Sequence, residues 1–287
     1  MRTEAYWSLC LVVAIHSLSF LPATAQADEA EDRAIKLVAA ANGQVLRDEN
    51  APGKPVVEVR LYFKEDVDAV LKELSPLKHV KDLGLNFSDA TDAGLKGVAT
   101  LKELTSISLR QTKVTDAGLM SLAEFKQLQY LDLGHAKVTD EGLKALAGSG
   151  QLQWLYLDDT EITDAGLKTL AGLKQLQTLD LSDTKVTDTG LKDLSGLKRL
   201  RHLKLWGTEA TQEGITKLQA ALPQCTIDWP DCSAMHVAAA SVTGNAMTYA
   251  LGRPIPGLNA PVLLQTPSSP HRSESLRNKR TQAIPPL

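Results

Sequence analysis

The chain has 287 residues, a length that corresponds to one or two domains. Hydrophobic residues make up 43% and charged residues 23%, which is ordinary for a globular protein and excludes a largely disordered chain. The formal net charge of −3 argues against a nucleic-acid binder. Only three cysteines are present, which excludes a disulfide-dense scaffold and a multi-cysteine zinc module.

The N-terminus has the pattern of an export signal. Arg2 supplies positive charge, residues 8–21 form an uncharged and mostly apolar run, and Pro22 ends it. Ala23–Ala25 and Ala25–Ala27 are small-x-small cleavage motifs. The run is shorter than the ~20 apolar residues of a membrane span. We therefore predict a signal peptide over residues 1–27 and a mature chain that is secreted or held in the periplasm or cell envelope, without stable membrane insertion. A retained signal anchor is the alternative.

Residues 28–55 are predicted to form an N-terminal cap. Glu31–Ala41 has the apolar spacing of a short helix, which Asn42 and Gly43 end. Gln44–Asp48 and Val56–Tyr62 are predicted to pair as a hairpin. The helix and the hairpin would together cover the first unit of the segment that follows.

A repeat of 24 residues occupies the middle of the chain. The motif Val-Thr-Asp-x-Gly-Leu and its variants start at residues 90, 114, 138, 162, 186 and 210. A second motif, Leu-x-x-Leu-x-Leu-x-x-Thr, runs in step with it and gives eight strand positions between Val56 and Trp229. Its alternation of apolar and other residues predicts a short strand. Its final Thr is expected to bond backbone groups of the neighbouring unit.

The Thr-Asp-x-Gly-Leu segment has the features of a helix start. Thr is a common N-cap, and Asp in the first turn interacts favourably with the positive end of the helix dipole. Glycine lowers helix propensity by ~1 kcal/mol relative to Ala, so its recurrence in six units indicates close backbone packing between coils. No unit can bury its own leucines, so the stacked units must share one core.

These motifs resemble the leucine-rich repeat family, in particular secreted bacterial members with VTDxGL repeats. The resemblance covers Val56–Trp229. It implies an α/β fold, a curved solenoid over residues 56–232 with a parallel β-sheet on the concave face and helices on the convex face. One departure is that Thr or Ser stands where many members of the family have Asn.

The C-terminal part contains the cap of the solenoid and a tail. Cys225 and Cys232 flank the last predicted strand, and in an oxidising compartment we expect a disulfide between them, with two thiols as the alternative. Residues 233–287 lack the repeat, are rich in Pro and Ser, and carry five Lys or Arg against one acidic residue. We predict a disordered basic tail, either inert or in contact with an acidic envelope polymer or lipid headgroups.

The candidate binding site lies on the strand positions that face away from the core. Five of the six Tyr and Trp residues between residues 28 and 232 fall on these positions. Aromatic side chains beside carboxylates are typical of interfaces, although aromatics also suit exposed strands. The predicted ligand-binding patch consists of Tyr130, Asp132, Trp154, Tyr156, Asp158, Asp180, His202, Lys204 and Trp206.

No sequence feature indicates catalysis, a metal or a cofactor. The chain lacks GxSxG, HExxH and P-loop motifs, and its histidines are isolated. Asp132 and Asp180 are expected about 10 Å apart, which is too far for the carboxylate pair of a retaining glycosidase and near the upper limit of ~9.5 Å for an inverting one, but this spacing arises freely among solvated acids. Asp158, Asp159 and Asp183 could be considered as metal ligands, but they are more easily explained as a solvated acidic edge of the sheet. We therefore predict a protein that is not an enzyme.

The resulting hypothesis is a non-catalytic extracytoplasmic module that binds an unidentified protein or peptide through its concave face. A cell-envelope glycan is the alternative ligand, because Trp and Tyr rings stack on sugars while Asp bonds their hydroxyls. A structural envelope component is the third candidate. Nucleic acid is not expected as a partner.

Overall fold

A computed structural model of the protein describes residues 23–62 and 65–230. The predicted signal peptide up to residue 22, Cys232 and the predicted tail lie outside these ranges. Within them, no helix is both long enough and apolar enough to cross a membrane.

Nine strands of the described residues form one sheet in sequence order. The strands are β1 Gln44–Arg47, β2 Val56–Arg60, β3 Asp82–Gly84, β4 Ser106–Ser108, β5 Tyr130–Asp132, β6 Trp154–Tyr156, β7 Thr178–Asp180, β8 His202–Lys204 and β9 Thr226–Asp228. The helices are α1 Ala23–Ala40, α2 Val67–Lys72, α3 Asp92–Gly97, α4 Asp116–Leu122, α5 Asp140–Leu143, α6 Asp164–Leu170, α7 Asp188–Leu191 and α8 Gln212–Ala221. Short 3₁₀ segments, Lys144–Gly148 and Lys192–Gly196, extend α5 and α7.

The N-terminal end is covered by α1 and β1. Helix α1 begins at Ala23, earlier than the predicted Glu31, because the segment before Glu31 is rich in Ala, Gln and Glu, which favour helix. Ala34 and Val38 of this helix are buried against the first coil. Strand β1 pairs antiparallel with β2, as the hairpin hypothesis expects.

Strands β2 to β9 are parallel, and each residue pairs with the residue 24 positions further on. For example, Ile107 pairs with Leu131, and Leu131 pairs with Leu155. Strands lie on one side of each coil and helices on the other. This arrangement confirms the predicted α/β leucine-rich repeat solenoid.

One continuous core runs through the coils. The inward positions of the strands, such as Leu131, Leu155 and Leu179, are 0% exposed. The helical side returns Leu119, Leu122 and Phe125 to the same core. Each coil therefore buries its leucines against those of its neighbours, as stacking requires.

The Thr that ends each strand motif bonds within its own coil, so the expectation of a bond to the neighbouring coil is wrong. Thr112 Oγ1 donates to the Leu109 carbonyl at 2.8 Å, and Thr184 Oγ1 donates to the Leu181 carbonyl at 2.6 Å. The carbonyl three residues back is within reach because the chain turns sharply after the strand. The hydroxyl thus satisfies a buried carbonyl at the turn.

On the helical side, the contact between coils is made by the Asp of Thr-Asp-x-Gly-Leu and, in the first coil, by Asp68 at the equivalent position of Val67–Leu71. The Asp carboxylate accepts the backbone N–H and the hydroxyl of the Thr 23 residues further on. Asp116, for example, bonds Thr139 N at 2.8 Å and Thr139 Oγ1 at 2.7 Å. The same pair of bonds recurs at Asp68–Thr91, Asp92–Thr115, Asp140–Thr163, Asp164–Thr187 and Asp188–Thr211.

The Thr of each pair has two roles. Thr139 Oγ1 donates to Asp116 and also accepts the N–H of Glu141, which makes it the N-cap of α5. The predicted N-cap is confirmed, and the carboxylate of the previous coil orients it. We refer to each Asp with its Thr as a staple.

The glycine of the motif leaves space for the staple. A Cβ on Gly166 would overlap Asp140 Oδ1, and a Cβ on Gly142 would overlap Asp116 Oδ1. Any larger residue must therefore displace the carboxylate. The recurrent glycine therefore does mark a close approach between coils, but the nearest atom is a side-chain oxygen of the previous coil and not its backbone, which corrects the predicted backbone packing.

Gly166→Ala should lower the free energy of unfolding by about 1–3 kcal/mol, because displacing Asp140 costs more than the ~1 kcal/mol that Ala adds to helix propensity. Gly172→Ala is the matched control in the same coil, since a Cβ on Gly172 would have Thr169 O as its nearest neighbour, at 3.5 Å, which is an ordinary van der Waals contact. Urea denaturation measures both. A Gly166→Ala protein as stable as the control would refute the role of the staple.

Candidate functional site

The predicted site residues share one face of the sheet, on the side away from the helices. We call it the open face, and its side chains form three rows across the strands. Row one contains Tyr130, Trp154 and His202, and row two contains Asp132, Tyr156, Asp180 and Lys204. Row three lies two residues beyond row two, just after the strands end, and contains Asp158 and Trp206. The backbone carbonyls of these two residues accept hydrogen bonds from backbone N–H groups of the preceding coil.

The structure brings three of the predicted aromatics together. The rings of Tyr130 and Tyr156 are 5.5 Å apart between centroids and tilted by 45°. Trp154 pairs with Tyr130 along row one and is half-buried. Trp206 is 49% exposed but lies two strands and two rows away, about 16 Å from Trp154 by strand geometry. We call Tyr130, Trp154 and Tyr156 the aromatic cluster.

A charged pair crosses row three beside this cluster. Arg110 reaches across the coil of β5 and donates to Asp158 through its two terminal guanidinium nitrogens, Nη1 at 2.9 Å and Nη2 at 2.5 Å. Gly134 lies beneath the pair, and a Cβ there would overlap the Arg110 guanidinium. Arg110 also lies 3.6 Å from Asp132. The glycine therefore allows one arginine to serve two carboxylates on different coils.

Two of the predicted aspartates are buried, which corrects the expectation of a solvated acidic run. Asp132 is 7% exposed and accepts the Gly134 N–H at 3.0 Å. Asp180 is 6% exposed, accepts the Ser182 hydroxyl at 2.7 Å, and pairs with Lys204 at 3.1 Å. Tyr156 lies between these two aspartates in row two, and Arg110 and Lys204 lie next to them, so both short carboxylates have little access to water.

The pKa values of these carboxylates follow from burial and from Arg110. Burial raises the pKa of Asp132, and the Gly134 N–H and Arg110 only partly oppose it. Burial also acts on Asp158, but the hydrogen bonds and charge of Arg110, helped by His135, outweigh it and lower the pKa of Asp158. Arg110 thus holds Asp158 in its charged form.

The remaining predicted positions lie at the margins. His202 and Lys204 are exposed. The edge residues His135 and Asp159 pair at 2.6 Å, and both have positive φ, at 57° and 51°. Cys225 is buried, and burial raises the pKa of its thiol to about 11. Its predicted disulfide partner lies outside the described residues, so the disulfide remains a prediction.

Three residues next to the site are absent from the patch predicted from the sequence. They are Arg110, Asp82 and Tyr62, all of which occupy outward positions of the open face. Tyr62 lies over Gly84, where a Cβ would overlap its ring. For Tyr62 and Arg110 the sequence does contain a signal, because a glycine in the neighbouring strand position leaves room for a long side chain to lie along the sheet.

Comparison with known families agrees with this geometry. Leucine-rich repeat models match residues 150–209, and also residues 102–123 and 127–147. Together with the strands paired at 24-residue spacing and the shared leucine core, these matches decide the family. The chain is a leucine-rich repeat protein.

Three of the solved structures similar to this leucine-rich repeat protein come from bacteria. A Leptospira interrogans leucine-rich repeat protein is 25% identical over 54% of this chain and 38% of its own, with a TM-score of 0.45. Internalin C2 of Listeria monocytogenes is 20% identical over 69% of this chain and 92% of its own, with a TM-score of 0.48. The Listeria internalin inlF is 23% identical over 55% and 56%, with a TM-score of 0.37. No curated protein sequence matches the chain.

Arg110→Gln should destabilise the leucine-rich repeat protein by about 1–3 kcal/mol at pH 7, because it leaves the buried Asp132 and the half-buried Asp158 without their cation. The value is below that of a fully buried pair because the Arg110 side chain is 28% exposed. Arg60→Gln is the control on the same face, since Arg60 pairs with Glu58 nearer the solvent. Chemical denaturation of the three proteins measures the difference.

The effect should depend on pH in a defined direction. Because Arg110 lowers the folded-state pKa of Asp158, its stabilisation is present above the unfolded pKa of ~3.9 and is lost as the pH falls through the lower folded value. In Arg110→Gln the buried carboxylates take up protons more readily. The stability gap between the wild-type protein and Arg110→Gln should therefore begin to narrow above pH ~4, where the carboxylates of the variant take up protons, and should narrow further as the pH falls through the lowered folded pKa of Asp158. A gap that widens would contradict the assignment.

Proposed function

We propose that this protein is a non-catalytic, extracytoplasmic binding module whose open face docks a protein partner. Leucine-rich repeat domains are generally protein-interaction modules, and the proposal assigns the contact to the aromatic cluster and its polar border. The observation that carries it is the division of residue types. Leu fills the inward positions of the strands, whereas Tyr130, Trp154 and Tyr156 occupy the outward positions of two adjacent strands.

The polar surroundings support a protein ligand. The Arg110–Asp158 pair and the Lys204–Asp180 pair border the aromatic cluster and are already satisfied within the protein. Such an arrangement offers ring faces at the centre and directional polar groups at the margin, which is the composition of interface hot spots. The rings are also fixed by their strands, so little conformational freedom is lost on binding.

The double variant Trp154→Ala and Tyr156→Ala should weaken capture of the partner from an envelope extract by about tenfold or more, because truncated hot-spot aromatics typically cost ~2 kcal/mol or more. Met120→Ala is the control, since Met120 is 66% exposed on α4, on the helical side of the coil. Quantitative pull-down with the full chain, checked by circular dichroism, measures both. Unchanged capture by a folded double variant would refute the open-face assignment.

The same pull-down distinguishes a glycan ligand from a protein ligand. If the captured protein is released by added cell-wall glycans, or if glycans bind and no protein is captured, the ligand is a sugar and the protein-docking proposal fails. Protein capture that glycans leave unchanged supports it.

We also propose that the chain is exported by cleavage of its N-terminal signal. Both candidate cleavage sites precede Ala34 and Val38, the residues of α1 that are buried against the first coil, so cleavage would leave the cap contacts intact. Mass spectrometry of the protein from the producing organism should give an N-terminus at Gln26 or Asp28. A chain that begins at Met1 in that sample would contradict export by cleavage.

A further inference from the structure

A strip of small residues crosses the open face next to the aromatic cluster. Strand β4 contributes only Ser106 and Ser108 to rows one and two, and we call these two residues the serine strip. Asp82 lies beside the strip on β3, and Tyr130 and Asp132 lie beside it on β5. Gly84 lies beside Ser108 on β3, where the ring of Tyr62 lies over it. Longer side chains therefore border the strip on both sides, and the strip forms the low part of this region of the face.

The Tyr130 side chain leans toward the strip. Its hydroxyl bonds Ser108, and the charges of Asp132 and Asp82 both act on it. Burial, followed by these charges, raises the pKa of Tyr130 to about 12, so its phenol stays neutral at physiological pH. The ring is therefore an uncharged aromatic surface between two carboxylates.

The other carboxylates near the strip have cationic partners. Asp158 binds Arg110, Asp180 binds Lys204, and Glu58 pairs with Arg60.

Asp82 and Asp132 are less well compensated. Within residues 23–62 and 65–230, Asp82 forms no ion pair; Ser106 is its side-chain hydrogen-bond partner, and the charge of Arg60 acts on it more weakly. Among the described residues, Arg110 is the only cation within 4 Å of the Asp132 carboxylate, at 3.6 Å, and that arginine is bound to Asp158. The negative charge that lacks full compensation is thus located on the two sides of the serine strip.

Burial makes this charge unfavourable in the unbound protein. Loss of solvation is the largest influence on both Asp82 and Asp132, and the pKa of each is raised in spite of its neighbours. A positive charge placed between them would restore the interactions that water supplied. An anionic or purely apolar ligand group would not.

We propose that the serine strip receives the side chain of a lysine or arginine from a basic segment of the protein partner. This inference rests on the proposed function and names the chemistry of its ligand. The cation contacts the face of the Tyr130 ring, and Asp82 and Asp132 interact with its charge. The alkyl stem of the side chain lies over the two serines, and the neighbouring residues of the partner reach Trp154 and Tyr156.

The test uses a capped tetra-arginine peptide as the probe, titrated calorimetrically into the full-length protein at an ionic strength of about 0.1 M, where the screening length is ~10 Å. The peptide should bind, and a capped tetra-glutamate peptide should not. Asp82→Asn removes a charge but keeps a side chain that can bond Ser106, and Tyr130→Leu removes the aromatic face. Each should weaken peptide binding by about threefold or more, as expected for a cation–π contact or an exposed charge pair.

Asp228→Asn is the matched control. Asp228 is an exposed carboxylate in row two of β9, six strands from Asp82, or about 29 Å, which exceeds the ~10 Å screening distance at moderate salt. It should change binding by less than about 1.5-fold, because it lies beyond that screening distance. Failure of tetra-arginine to bind, or equal weakening by Asp228→Asn and Asp82→Asn, would overturn the proposal. Circular dichroism confirms that each variant is folded, and Asp82→Asn provides the test if Tyr130→Leu is not.

The outcomes also separate this inference from the proposed function. If partner capture depends on Trp154 and Tyr156 but tetra-arginine does not bind, only the cationic subsite is refuted. If tetra-arginine binds at the strip but capture is insensitive to Trp154 and Tyr156, the docking function is refuted instead.

Discussion

The structure depends on a hydrogen-bonded contact between successive coils, the staple from an Asp carboxylate to the N–H and hydroxyl of a Thr in the next coil. Leucine burial alone attracts coils to each other, but it is non-directional and would tolerate sliding. The staple has fixed geometry and recurs between α2 and α8, from Asp68–Thr91 to Asp188–Thr211. It therefore sets the helical side of each coil, while the strand ladder sets the other side. The series ends at Gln212, which replaces the Asp in the last unit.

Regular stacking has a direct consequence for the open face. Because strands pair at a constant spacing of 24 residues, side chains from different coils fall into straight rows. Small residues in these rows, such as Gly84, Ser108 and Gly134, let long neighbours lie along the sheet. The face consequently carries aromatic rings and ion pairs held against the strands, with aspartates partly shielded from water. This gives a preorganised surface, which supports the binding role we propose.

The sequence predicted the solenoid well because its two motifs report on local chemistry. Alternation of Leu reveals a half-buried strand, and Thr-Asp-x-Gly-Leu reveals a helix start. The sequence could not reveal the hydrogen-bond partner of the Asp. A carboxylate in the first turn of a helix is expected if it only interacts with the helix dipole, and it is equally expected if it bonds a Thr 23 residues further on. The start of α1 was missed because residues 23–27 match both a cleavage site and a helix.

The sequence predicted on which face of the sheet the aromatic residues lie, but it did not predict how their polar neighbours pack. The period placed Tyr130, Trp154 and Tyr156 on one face, because strand alternation determines side-chain direction. Burial of Asp132 and the Arg110–Asp158 contact depend on which way long side chains lean across neighbouring strands. That choice depends on the space left by residues such as Gly134, which only the assembled sheet shows.

Native-state amide hydrogen exchange of the staple threonines tests the central claim most directly. The backbone N–H groups of Thr139 and Thr163 donate to Asp116 and Asp140 side chains, at 2.8 and 2.9 Å. If the staples hold the coils together, these amides should exchange as slowly as those of the adjacent strands. Exchange as fast as that of the exposed loop residue Gly150 would contradict the account.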